Sequence, residues 1–166
     1  MALRPAAPRA RNRPVSAPRF SLELTLADAA QTAALGARIA AALAPGDAVA
    51  LEGDLGAGKT TLARAILAAL GLAEDVPSPT FTLVQRYETA RLPVSHFDLY
   101  RVEDESEMEE LGLDEALSDG AALIEWPERA GSWLPADALH VQLAIAGETA
   151  RRVRLSGPSK WAGLGA

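Results

Sequence analysis

Phe20, Leu22, Leu24 and Leu26 alternate with Ser21, Glu23 and Thr25, the period-two pattern of a half-buried strand. The period then lengthens. Across residues 28–43, Leu35, Ile39 and Leu43 recur on one side of a helix, and Pro45-Gly46 closes it. Residues 47–52 (DAVALE) have an apolar middle, which predicts a strand buried on both faces. Leu62, Ile66 and Leu70 return every four residues, so a helix with one apolar face is expected up to Gly71. Val76-Pro77-Ser78-Pro79-Thr80 reads as a stiff polar loop. Residues 81–88 and 92–99 follow as two strands of a hairpin turning at Thr89-Ala90-Arg91. Short helices are expected near Met108–Leu111 and over 114–117, then a second buried strand, AALIE, at 121–125. Two last strands, 138–146 and 151–155, turn at Gly147. The pattern predicts an α/β fold with a mixed central sheet flanked by helices, since the hairpin excludes a purely parallel sheet.

The chain has 166 residues, enough for one domain with its own core, and half of them are hydrophobic. Cysteine is absent, which rules out disulfides and thiolate metal sites and suits a reducing cytoplasm. No apolar stretch approaches the length needed to span a membrane. Charge is unevenly placed. Residues 1–20 hold five arginines, four prolines and no acid, so the remainder carries 11 basic against 22 acidic residues, a net charge of −11. Three segments are therefore expected: a disordered basic extension over 1–19, a folded domain over 20–156, and a flexible tail over 157–166. The acidic body argues against direct nucleic-acid binding, which needs concentrated positive charge.

One octet changes this picture. Gly53-Asp54-Leu55-Gly56-Ala57-Gly58-Lys59-Thr60 fits the phosphate-loop pattern G-x-x-x-x-G-K-[ST], and it lies between a predicted strand and a predicted helix. Lys59 is one of only two lysines, against fourteen arginines. A compact ammonium reaches between the β- and γ-phosphates where a wide guanidinium fork does not. The fold is thus expected to be a single phosphate-loop NTPase-like domain. Thr60 supplies the hydroxyl expected on a Mg²⁺ that bridges the two phosphates of ATP. A carboxylate ending a buried strand must support that ion. Glu125 after AALI and Asp98 after PVSHF both qualify; the cleaner apolar run favours Glu125 for the metal and leaves Asp98 to act on the attacking water or to support the metal shell. Thr80 stands where switch proteins carry a threonine that senses the γ-phosphate, although an ordinary proline-rich connector reads the same way. His96 is either a proton shuttle or a structural hydrogen-bonder. Trp126 is either core or a lid on Glu125. Arg151, Arg152 and Arg154 offer one phosphate-facing charge, with surface placement as the default. Six carboxylates in 103–110 form either a solvated face or a docking surface for a basic partner.

Five segments in order, GDLGAGKTT (53–61), SPTF (78–81), HFDLYR (96–101), ELGL (110–113) with Asp114-Glu115, and IEWPER (124–129), resemble the bacterial TsaE family of ATPases. The resemblance covers about residues 20–155. It implies an ATPase serving threonylcarbamoyladenosine (t6A) synthesis in tRNA, with TsaB and TsaD as partners, tRNA contacted only indirectly, and a cytoplasmic location. It implies nucleotide contacts from Gly53, Asp54, Leu55, Gly56, Ala57, Gly58, Lys59, Thr60 and Thr61, with a base contact near Thr32. It also implies Mg²⁺ at Thr60 and Glu125, and a functional acid at Asp98. Lys59, Asp98 and Thr80 are the residues expected to carry catalysis. A small-molecule kinase is the alternative, but such enzymes close an arginine-bearing lid over the phosphate. The long segment after the hairpin is acidic here.

Overall fold

The computed structural model describes residues 19–72 and 82–165. Seven strands form one sheet: β1 (Arg19–Leu26), β2 (Ala48–Glu52), β3 (Val84–Glu88), β4 (Pro93–Asp98), β5 (Ala121–Glu125), β6 (Leu139–Ile145) and β7 (Arg151–Pro158). Their spatial order is β1-β7-β6-β2-β5-β4-β3. The four inner strands β6, β2, β5 and β4 run parallel, while β3, β7 and β1 add antiparallel edges. The expected mixed α/β architecture is therefore the one observed. AVALE and AALIE became the central pair because nearly every residue in them is apolar and both sheet faces are covered.

Helices α1 (Ala29–Ala42) and α2 (Lys59–Ala69) cover one face. Leu35, Ile39, Leu62 and Ile66 meet Val49, Leu51 and Leu123 there. The strand pleat sends the alternate residues Ala48, Ala122 and Ile124 to the other face, where Phe97, Met108 and Leu113 cover them. The last two come from the short helices α3 (Met108–Leu111) and α4 (Leu113–Asp119). Asp28 caps α1 by accepting from the Gln31 backbone N–H at 3.0 Å. Gly36 lets α1 and α2 touch: a Cβ there would lie 2.6 Å from the Ala65 Cβ.

Two boundary expectations change. β1 begins at Arg19, one residue inside the predicted basic extension, whose remaining residues lie outside those described. Of the segment 157–166 expected as a flexible tail, residues 157–165 are corrected. β7 runs to Pro158, and a 3-10 segment, Ser159–Gly165, then tucks Trp161 and Leu164 into the core against α1 and β1. Lys160 anchors the segment by an ion pair to the buried Asp47. The apolar pair was too short to carry a periodic signal. The acidic run also has local work. Glu107 accepts from the backbone N–H groups of Glu103 and Asp104 at 2.8 and 3.0 Å. Asp104 accepts from Ser106 N–H at 2.8 Å, and Glu105 accepts from Ser132 N–H at 3.0 Å. Three of the six carboxylates thus serve as caps and braces.

Candidate functional site

Residues 53–60 turn from the end of β2 into α2, which begins at Lys59 with Gly58 as its cap. Geometry requires glycine in this turn. Gly53 has φ +146°, and a Cβ on it would lie 2.5 Å from the Leu143 carbonyl oxygen; Gly58 has φ +108°. Lys59 is buried and donates to the Gly53 carbonyl and, at 3.1 Å, to the Asp54 carbonyl. Its ammonium thus lies beside the loop rather than in bulk water. Burial lowers the Lys59 pKa from the ordinary lysine range, and the charges of Glu125, Glu128, Asp98 and Asp54 offset part of that effect.

β4 and β5 run parallel in a register that sets Asp98 opposite Glu125, so two carboxylates reach the same sheet edge beside the loop. Glu125 is 2% exposed. Its Oε1 accepts from the Thr60 hydroxyl at 2.8 Å and its Oε2 lies 2.6 Å from His96 Nε2. Asp98 instead accepts from the Tyr100 backbone N–H at 3.1 Å. Burial raises the Asp98 pKa and the nearby Glu125 charge adds to this, against the pull of the Tyr100 N–H. Of the two candidate carboxylates, Glu125 is the one joined to the loop hydroxyl. A carboxylate and a hydroxyl are both hard oxygen donors. Their convergence at a phosphate loop fits Mg²⁺, which takes one or two protein oxygens and fills the rest of its octahedron with water and phosphate. Among the described residues no cluster of three or more His, Cys, Asp or Glu forms a closed cage for a metal.

Trp126, read as core or as a lid on Glu125, packs partly buried against the core and faces Lys59. Its φ of 57° and ψ of 52° make it the one described non-glycine residue with positive φ, a conformation that costs about 1–3 kcal/mol. The turn brings its ring to 4.0 Å from the Lys59 ammonium and to 5.0 Å, centroid to centroid, from Tyr100. It is therefore a wall over the lysine as well as a packing residue. Arg151 departs from the surface default. At the start of β7, its Nε donates to the Ala57 carbonyl at 3.1 Å, and its guanidinium lines the cleft.

The cleft so formed is about 430 Å³. It brings together Leu55, Gly56, Gly58, Lys59, Thr60, Thr61, Asp98 and Glu125 from the expected set, and adds Tyr100, Trp126 and Arg151. Gly53, Asp54 and Ala57 line a second cleft on the other flank of the loop, with Glu52, Gln142 and Ile145. Thr32 lines neither; it is buried in α1 and its hydroxyl turns to the Asp28 carbonyl at 3.4 Å. Thr80 lies outside the described residues. Tyr100 was missed, although its place two residues after Asp98 at a strand end was a usable signal.

The chain matches the family model of "Threonylcarbamoyl adenosine biosynthesis protein TsaE" over residues 26–153. The tRNA threonylcarbamoyladenosine biosynthesis protein TsaE of Bacillus subtilis (strain 168) is 43% identical over 124 residues, 74% of this chain and 77% of that protein. The protein of the same name from Nostoc sp. (strain PCC 7120) is 37% identical over 139 residues, 81% of this chain and 85% of its own. A crystal structure of Bacillus subtilis YdiB superposes with a TM-score of 0.73 at 33% identity, covering 90% of this chain and 94% of that one.

Proposed function

The chain belongs to the TsaE family of threonylcarbamoyladenosine biosynthesis proteins, and from that membership we propose that it is a Mg²⁺-dependent ATPase driving t6A modification of tRNA. It acts in the cytoplasm with TsaB and TsaD, on tRNA that those partners hold. The observation that carries this reading is the convergence of Lys59, Thr60, Asp98 and Glu125 on one cleft at the phosphate loop.

Each residue has a role its position can perform. The loop and the positive N-terminus of α2 hold the phosphates, and Lys59 supplies the one ammonium beside them. Thr60 and Glu125 would hold Mg²⁺, which when bound neutralises charge on the phosphoryl group being transferred. Asp98 is partly buried and its carboxyl is raised above the ordinary range, which suits a group that orients a water and accepts its proton. Trp126 and Tyr100 exclude bulk water from the lysine side, so the electrostatic interactions there are stronger than in solvent. Arg151 adds a second cation at the rim.

The test is reconstitution with each component omitted in turn, following ATP hydrolysis and tRNA threonylcarbamoylation over repeated cycles. Hydrolysis by the chain alone should be weak and should rise when TsaB and TsaD are added. Undiminished multi-cycle modification without this chain would sink the reading. Rapid phosphorylation of a small metabolite by the chain alone would replace it with the kinase.

A further inference from the structure

His96 has no part in the mechanism above, yet it is the most deeply buried ionisable side chain at the site, at 0% exposure. It sits on β4 two residues before Asp98, opposite Leu123 on β5, and it does not line the cleft. Its Nε2 lies 2.6 Å from Glu125 Oε2, and its Nδ1 is buried with no partner. Among the described residues Nδ1 has no partner to which a proton could pass, so the contact the structure gives His96 is the one to Glu125.

A carboxylate buried in a sheet needs hydrogen-bond donors on its oxygens. Glu125 has one on each: Thr60 on Oε1 and His96 on Oε2. An ionised carboxylate only accepts, so Nε2 is the donor in the His96 contact. The terminal torsion of a glutamate is broad, and one hydrogen bond from Thr60 does not fix it. The second does. We infer that His96 is a positioning residue that clamps Oε2 of Glu125, so that Oε1 stays turned towards Thr60 and the cleft. The imidazole itself comes from the middle of a sheet strand whose neighbours are buried, so the clamp is as rigid as the sheet.

This inference rests on the proposed role of Glu125 towards Mg²⁺, and the test separates the two. His96→Leu removes the donor and keeps an apolar side chain in the sheet. His96→Gln keeps an N–H at a reach close to that of Nε2. Nucleotide affinity without Mg²⁺, the Mg²⁺ concentration for half-maximal binding, kcat and the melting temperature are measured for each. In His96→Leu, loss of the outer hydrogen bond should raise the Mg²⁺ requirement and lower kcat by about tenfold each. Its Mg²⁺-free nucleotide affinity should stay within about twofold of the parent. His96→Gln should recover most of the loss. In a Glu125→Gln background, His96→Leu should have no further effect on the Mg²⁺ requirement, because the residue acts through Glu125. An unchanged Mg²⁺ requirement in folded His96→Leu, or a His96→Gln that melts like the parent yet binds Mg²⁺ no better than His96→Leu, overturns the inference alone. A parent chain whose nucleotide binding does not respond to Mg²⁺ overturns the functional reading and this inference with it.

Discussion

Two residues at the cleft separate binding from turnover. Lys59→Ala removes the ammonium beside the loop while leaving the apolar face of α2 untouched. It is expected to abolish ATP binding with little change in melting temperature. Titration calorimetry checks this, and affinity within about threefold of the parent, roughly 0.7 kcal/mol, would defeat the phosphate-loop reading. Asp98→Asn should behave differently. Burial and the Glu125 charge raise the folded-state pKa of Asp98, so the charged form works against folding. The stability linked to this group is present at acid pH and lost as pH rises through the raised value. The asparagine variant is therefore expected to melt higher than the parent at neutral pH, with the gap closing on acidification, while its turnover falls. A lower melting point at neutral pH would show that Asp98 is not held at an energetic cost.

At the scale of elements, the parallel strands β4 and β5 do the positioning. Their register aligns Asp98 with Glu125, and a slip of β4 by one residue against β5 would turn Asp98 to the sheet face opposite Glu125. The C-terminal 3-10 segment is a second structural element with a measurable role. Trp161 is 1% exposed and packs in the α1–α2 core. Trp161→Ala is expected to cost about 3–5 kcal/mol, in the range of other large-to-small core changes. Chemical denaturation measures it, and a loss under about 1 kcal/mol would restore the reading of 157–166 as a tail.

Over the whole molecule, residues beyond 20 carry a net charge of −11 and the full chain −6. Phosphate contacts draw their affinity from concentrated cations, so the chain alone is expected not to retain tRNA in a filter-binding assay at low salt. Retention that weakens steeply with added salt would show a direct contact and would point to the arginines of residues 1–20. The cleft also opens at a surface where large apolar side chains stand out, Leu55 at 71% and Tyr100 at 50% exposure. That surface agrees with turnover that depends on partners.

Sequence by itself determined the fold class, because strands and helices are written in local periods, and it marked the glycine-rich octet between a strand and a helix. AVALE and AALIE are apolar in all but their final glutamates, the mark of strands buried on both faces, and the octet is a local signal. It also narrowed the acids to Asp98 and Glu125, since each ends a strand. What it left open was decided by contacts across the sheet. That Glu125, favoured by its apolar run, accepts from the Thr60 hydroxyl 65 positions away is a contact only the fold makes. Arg151 lies 94 residues beyond the loop carbonyl it binds, and nothing near it in sequence marks it apart from Arg152. His96 and Trp126 each had two local readings, and Trp161 fell inside a segment expected to be a tail. Burial, backbone conformation and distant partners fixed their places, because those quantities exist only once the strands have paired.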